Sequence, residues 1–189
     1  MPAAWSAATS PGRAGPARLV DPELAAGAAV AVLQDGADCV YLFNYFLKGH
    51  FTGLWAPEQF AAALRAMRSA EELAKLPRRH PVTYRDVRAP GEPNDDPLPA
   101  TGTLCSFRLH TGPKPAGRKV ELLLELAESS QAASPSEVRA NGVVCPPAGQ
   151  EGRAFTYTVP DAALADEAHV VEVAAGTPVT LVRVEFAVT

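Results

Sequence analysis

One short segment carries five side chains that could bind a ligand: an amide, a phenol, an ammonium, an imidazole and an indole. They belong to Asn44, Tyr45, Lys48, His50 and Trp55. Such side chains can hold a polyhydroxylated ring through hydrogen bonds to its hydroxyls and through apolar contact with its C–H faces. The segment is therefore a candidate binding site. The alternative is that Tyr45 and Trp55 pack the loop against the next helix, while Lys48 and His50 are ordinary surface residues.

A helix and then a buried strand are predicted to lead into this segment. Residues 21–23 suit a helix start, with Asp as the N-cap, Pro at the first position and Glu in the first turn. Small side chains continue to Leu33, and Gly36 is available for the left-handed turn that closes many helices. Residues 39–46 are almost continuously apolar, which predicts a strand buried on both faces of a parallel sheet.

A second helix is predicted from Pro57, because Phe60, Leu64 and Met67 form one apolar stripe. The helical pattern continues to residue 76. Helix, strand and helix make about one and a half units of an α/β fold, and a parallel strand needs neighbours on both sides. Residues 21–78 are therefore predicted to be a partial α/β segment that cannot close a sheet by itself.

From residue 79 the pattern becomes that of short strands. Residues 89–100 are rich in proline and polar side chains, which indicates a loop or a linker. Period-two segments follow, with these residues predicted to face inward: Cys105, Phe107, Leu109, Val120, Leu122, Leu124, Leu126, Phe155, Tyr157, Val159, Val182, Val184, Phe186 and Val188.

Turn signals separate these segments at residues 112–113, 141–142, 146–147 and 176–178. Asn141–Gly142 is the sharpest hairpin signal in the chain. Short strands joined by such turns predict an antiparallel β-sandwich, similar to a jelly roll, over residues 79–189.

Composition narrows the classes of partner. A hydrophobic content of 47% is typical of a globular chain, and a net charge of −4 without a basic cluster argues against nucleic acid. No run reaches the roughly 20 apolar residues of a membrane helix.

Residues 1–20 lack the apolar region of a signal peptide. We expect them to be disordered or loosely packed, and the chain to be cytoplasmic by default.

Cysteines and histidines do not predict a metal site. Cys39, Cys105 and Cys145 match no zinc spacing, and the four histidines are scattered. Buried free thiols are expected, with a Cys105–Cys145 disulfide as the alternative. No metal and no cofactor are predicted.

Several stretches in the same order resemble bacterial proteins related to glycoside hydrolases, in which a TIM barrel precedes a C-terminal β-sandwich. Residues 36–45 are similar to the late barrel-strand motif GADGIYLFNYF, with Cys39 where glycine is usual. The other matching stretches are the following helix (57–76), the connector (78–84), the NG hairpin (137–142) and the strand at 169–173, where Ala168 and His169 stand at a position usually held by Asn.

The resemblance implies an α+β chain, in which a segment like the last units of a TIM barrel precedes the jelly-roll-like sandwich. It places Asn44, Tyr45, Lys48, His50 and Trp55 on the last βα loop, where a full barrel binds substrate. Glycoside hydrolysis needs two facing carboxylates. Asp35 and Asp38 would lie at the wrong end of the strand, and Asn44 ends it, so no catalytic residue is predicted.

Three functions follow as expectations. The favoured one is the C-terminal part of a glycoside-hydrolase-like protein, inactive alone, whose sandwich is a structural accessory domain. The second is a carbohydrate-binding module, which would show exposed aromatic residues on a sandwich like those of galactose-binding domains. The third is a subunit that completes a barrel with another chain, so that the partner is either the rest of the barrel or an oligomeric copy.

Overall fold

The structure is a computed structural model that describes residues 22–34, 36–40, 57–82, 97–112, 117–130, 134–164 and 168–189. Within these ranges most of the ordered backbone is antiparallel β-sheet, accompanied by a few helices, so the expected α+β class is confirmed in its β-rich form. The chain divides into two compact units, of which the first ends at Arg79 and the second runs from His80 to Thr189.

The first unit is helical in its described part. Helix α1 spans Pro22–Gln34, α2 spans Pro57–Ala66 and α3 spans Ala70–Ala74. The strands are β1 (Arg78–Pro81), β2 (Ala100–His110), β3 (Val120–Leu126), β4 (Pro135–Ala140), β5 (Val143–Val144), β6 (Pro147–Glu151), β7 (Ala154–Thr158) and β8 (Ala168–Val188), with a short 3-10 helix at Asp161–Ala163 between the last two.

Helix α1 ends as its sequence predicts. Gly36 has a φ of 91°, and its N–H donates to the carbonyl of Leu33. The next N–H, of Ala37, donates to the carbonyl of Val32. These two bonds form the Schellman arrangement, which satisfies carbonyls that the last helical turn leaves open.

The first unit has a small core built largely from alanine. Its buried residues are Ala25, Ala26, Ala29, Val30, Ala63, Ala66, Met67 and Leu73. Leu64 is 41% exposed, so the predicted Phe60, Leu64 and Met67 stripe is wrong at its middle position. The inward face of α2 instead uses Ala63 and Ala66, and Met67 is buried directly after the helix ends.

Residues 36–40 do not begin a strand. Val40 packs against the helical core, whereas Cys39 is exposed, so the expectation of a buried thiol at Cys39 is wrong. Residues 41–46, the rest of the predicted barrel strand, lie outside the described residues.

Strand β8 organises the second unit. It is 21 residues long, and its first half pairs with β2 on one side and β4 on the other. Its second half pairs with β3, which in turn pairs with β7. The order of the sheet is β5-β4-β8-β3-β7-β6, with β1 and β2 also paired to β8.

The strands alternate as predicted. In β2 the inward residues Cys105, Phe107 and Leu109 are buried, and β3 buries Val120, Leu122, Leu124 and Leu126 on one face. One apolar cluster joins these residues to the inward faces of β4, β7 and both halves of β8. The sheet therefore curves around a single core, in which Cys105 and Cys145 are buried free thiols, as predicted.

Two features of β8 differ from the sequence prediction. Residues 176–178 do not form a turn between two strands, because β8 continues through them. Ala174 pairs with Leu104 and Val179 with Gly102, so residues 175–178 face the single residue Thr103 in a large bulge. Pro178 fits there because a bulge does not require its missing N–H.

A second bulge shifts the inward phase of β8. Glu125 pairs with Arg183 and Leu126 with Leu181, which leaves Val182 as the extra residue. Leu181 is consequently buried, Val182 is only half-buried, and the predicted alternation resumes at Val184. The fully exposed edge strand β6 was missed, because residues 146–147 suggested only a turn.

Gly27 marks a close approach inside the first unit. A Cβ atom at this position would lie 1.9 Å from the carbonyl oxygen of Arg79. Gly27→Ala should therefore lower the free energy of unfolding by about 1–3 kcal/mol, even though alanine favours helix. Urea unfolding followed by the helical circular dichroism signal measures the change.

Ala28→Gly is the matched control, because it lowers helix propensity by about 1 kcal/mol one residue away without adding an atom. A Gly27→Ala protein as stable as the wild type would show that the helix moves freely away from Arg79.

Candidate functional site

The residues predicted to bind a ligand lie outside the described residues. They are Asn44, Tyr45, Lys48, His50 and Trp55, and Asp35 lies outside as well. Of the nearby acidic side chains, Asp38 is described. It lines a shallow, open depression with Cys39, Val40, Leu64, Met67 and Arg68. One carboxylate in an open depression does not provide the facing pair that glycoside hydrolysis requires.

Across the described ranges, no three histidine, cysteine or acidic side chains come together as a metal site would require. None of the described helices is long and apolar enough to cross a membrane.

A connected group of polar side chains in the described part of the second unit is centred on Asn141. Asn141 and Gly142 have φ values of 46° and 76° and connect β4 to β5, so the hairpin predicted here is confirmed. Positive φ at both positions is the signature of a type I′ turn, which asparagine and glycine tolerate.

Backbone and side chain of Asn141 both bind β8. The backbone N–H donates to the carbonyl of Val170 at 2.8 Å, and the side-chain Oδ1 accepts from the N–H of Val170 at 2.8 Å. The side-chain Nδ2 donates to the carbonyls of Ala163 at 3.0 Å and Ala168 at 3.4 Å. One amide thus ties the hairpin to the 3-10 helix and to the start of β8.

His169 continues this group into the core. It is 1% exposed, it lies 3.2 Å by its Nδ1 from Asn141 Nδ2, and its Nε2 lies 2.8 Å from the hydroxyl of Thr111. Asn141 Nδ2 can only donate, and it shares its two hydrogens among the carbonyls of Ala163 and Ala168 and the ring of His169. Nδ1 is therefore the acceptor in this arrangement, and Nε2 carries the ring proton. The Thr111 hydroxyl accepts a hydrogen bond from His169 Nε2–H and donates one to the carbonyl of Gly112 at 3.1 Å.

We call Asn141, His169 and Thr111 the polar triad. Each donor in it meets an acceptor, and His169 also packs on Phe186 with ring centroids 5.2 Å apart. The triad lies in the interior, because both His169 and Thr111 are buried. Its chemistry suits the joining of three segments distant in the chain, since a buried network with all its members satisfied makes a core specific.

Two of these residues stand out in the sequence for other reasons. Asn141 belongs to the predicted turn, and His169 stands where the resembling family usually has Asn. Thr111 was missed, and its only signal is its place immediately before the predicted turn at Gly112.

The phenylalanine and tyrosine side chains that the structure describes in the second unit face its core. Phe107, Phe155, Tyr157 and Phe186 are all at most 8% exposed. Burial also raises the pKa of the Tyr157 phenol. Among the described residues, the large hydrophobic side chains that are exposed are Leu64, Leu104, Val144 and Val170, all aliphatic. The described strands therefore offer no flat aromatic platform.

Several charged groups of the second unit are held in ion pairs along its strands. Arg139 Nε lies 2.7 Å from Glu137 Oε1, and Arg139 also donates to the carbonyl of Gly142 at 2.8 Å. The hydrogen bond from Arg139 holds the pKa of the Glu137 carboxyl below its ordinary value. Arg183 lies 2.6 Å from Glu185, whose side chain is 2% exposed. Both carboxylates are therefore bound to arginines.

Comparison with known proteins adds no family to this geometry. The chain matches no protein-family model, and the search of curated proteins finds no match.

The hydroxyl of Thr111 should contribute measurably to stability. Thr111→Val keeps the shape of the side chain but removes its hydrogen bonds to His169 and Gly112, so we expect the free energy of unfolding to fall by about 1–3 kcal/mol. Thr101→Val is the matched control, because Thr101 shares an exposed hydroxyl contact of 2.9 Å with Thr180. That change should stay within about 0.5 kcal/mol. Equal effects of the two variants in urea unfolding would contradict the role given to Thr111.

The second unit should lose stability at alkaline pH. Burial raises the pKa values of Tyr157, Cys105 and Cys145 above the ordinary values of 10.0 for the phenol and 9.0 for the thiols. As pH rises, these groups therefore ionise in the unfolded chain before they ionise in the folded chain. Their contribution to the free energy of unfolding is fully present below about pH 9 and is lost progressively as the pH rises further.

A series of urea unfolding curves from neutral to alkaline pH measures this loss. Tyr157→Phe and Cys145→Ala should each make the decline shallower, whereas Cys39→Ala, which removes an exposed thiol, should leave it unchanged. A stability that is flat through this pH range would contradict the burial of these groups.

Proposed function

We propose that the chain is the C-terminal part of a glycoside-hydrolase-like, carbohydrate-active protein and has no catalytic activity alone. In this proposal the second unit is a jelly-roll-like β-sandwich that serves as a structural accessory domain. Residues 21–78 correspond to the last units of a TIM barrel. The order of the resembling stretches along the chain supports the assignment.

The observation that carries the accessory role is the inward direction of the aromatic residues. A carbohydrate-binding sandwich would be expected to offer exposed rings on which sugar faces stack. Phe107, Phe155, Tyr157 and Phe186 all serve the core instead. The single core enclosed by both halves of β8 supports the sandwich architecture, because two packed layers bury their inner faces against each other.

The engaged carboxylates support the absence of catalysis. A glycosidase acid and its partner face the scissile bond from two sides. Glu137 and Glu185 are instead bound to arginines, and Asp38 lies alone in its depression.

Glycan-array binding by the full chain, together with hydrolysis assays on aryl glycosides, tests this proposal. We expect neither binding nor turnover, and we expect limited trypsin digestion to leave a resistant fragment that begins near His80. Turnover, or digestion that degrades the second unit as fast as the first, would contradict the proposal.

Binding on the array would instead favour a carbohydrate-binding module. In that case Trp55→Ala should weaken binding by about tenfold, the loss expected for an aromatic contact of about 1.4 kcal/mol. Trp5→Ala is the matched control, because it removes an equal ring outside the predicted loop.

A further inference from the structure

We infer that Asn141 is a protected deamidation site, whose conversion to aspartate is blocked by the folded structure and damages that structure once it occurs. The inference rests on the Asn141–Gly142 turn and its hydrogen bonds, and it is independent of the proposed function. It concerns a covalent change that needs only water as co-reactant.

The reaction begins when the backbone nitrogen of Gly142 attacks the side-chain carbon Cγ of Asn141. The new N–Cγ bond closes a five-membered succinimide, the Cγ–Nδ2 bond breaks, and the Gly142 N–H proton is lost as ammonia departs. Water then opens the ring at either carbonyl, giving aspartate or isoaspartate. Glycine favours the attack because it has no side chain to obstruct the approach and the backbone around it rotates freely.

The fold opposes the first step by holding the amide elsewhere. Oδ1 accepts from Val170 N–H at 2.8 Å, and Nδ2 contacts the carbonyls of Ala163 and Ala168 and the ring of His169. Swinging Cγ toward the nitrogen of Gly142 breaks these contacts together. The turn is also clamped on its other side, because Arg139 donates to the carbonyl of Gly142 at 2.8 Å.

The product does not fit the place that the amide occupied. Aspartate can still accept from Val170, but its second oxygen would replace a donor that faces the carbonyls of Ala163 and Ala168. A carboxylate has no hydrogen to offer them. A proton on His169 Nδ1 would relieve one of the three contacts and leave the two carbonyls opposed to an oxygen. Isoaspartate adds a carbon to the backbone of a two-residue turn and changes its register.

The folded state therefore preserves the asparagine that the polar triad needs. A molecule that opens at this hairpin exposes Asn141 to a reaction whose product closes the same hairpin less favourably. Local opening of the hairpin and deamidation therefore both act on Asn141.

Peptide mapping by mass spectrometry, with the full chain incubated at mildly alkaline pH in native buffer and in unfolding urea, tests the inference. In urea, Asn141 should react fastest of the three asparagines, since Asn44 and Asn94 precede tyrosine and aspartate. In native buffer the rate at Asn141 should fall by at least about tenfold, as expected for a site that must first open locally. Equal rates in the two buffers would overturn the inference, and this measurement requires no variant.

Two variants test the source and the consequence of the protection. Thr111→Val should raise the native rate at Asn141, while Thr101→Val should leave it unchanged. Asn141→Asp should lower the urea midpoint of the second unit. An unaltered native rate in Thr111→Val, or a wild-type midpoint in Asn141→Asp, would each contradict the role given to the triad.

Discussion

The second unit depends on one strand having enough length to pair twice. The backbone hydrogen bonds of β8 join β2 and β4 at its first half and β3 at its second half, so the two groups of strands share a single backbone. The bulge at residues 175–178 lies opposite β2, between the two halves of β8, and the bulge at Val182 lies opposite β3. They allow the strand to bend while Val171, Val173, Leu181 and Val184 remain in the core.

The polar triad complements this apolar core at one end of β8. Apolar burial stabilises many arrangements of similar volume, whereas a buried polar group is tolerated only when its partners are in place. Asn141, His169 and Thr111 therefore specify how the β4–β5 hairpin, the end of β2 and the start of β8 meet. The surface ion pairs of the strands contribute less, because exposed pairs are screened by water.

The sequence predicted those features that depend on one segment alone. The alternation in β2 and β3, the Gly36 helix end and the Asn141–Gly142 hairpin are local, so composition and period revealed them. The bulges at Val182 and at residues 175–178 arise from register with β2 and β3, which no single segment encodes. The partners of Asn141 lie 22 to 29 residues further along the chain, so its side-chain role was also hidden. The predicted ligand-binding role of Asn44, Tyr45, Lys48, His50 and Trp55 stays a prediction.

The position of β8 along the chain also has a consequence for how the protein is made. Each of strands β1 to β7 precedes β8 in the sequence, and β2 meets it across roughly 60 to 80 intervening residues. During synthesis the β2, β3–β7 and β4–β5 segments emerge before the strand that joins them. Contacts between such distant segments form slowly because the intervening loop must first be closed. Until β8 arrives, the nascent chain carries unpaired strand edges and apolar faces, which is the state that chaperones protect.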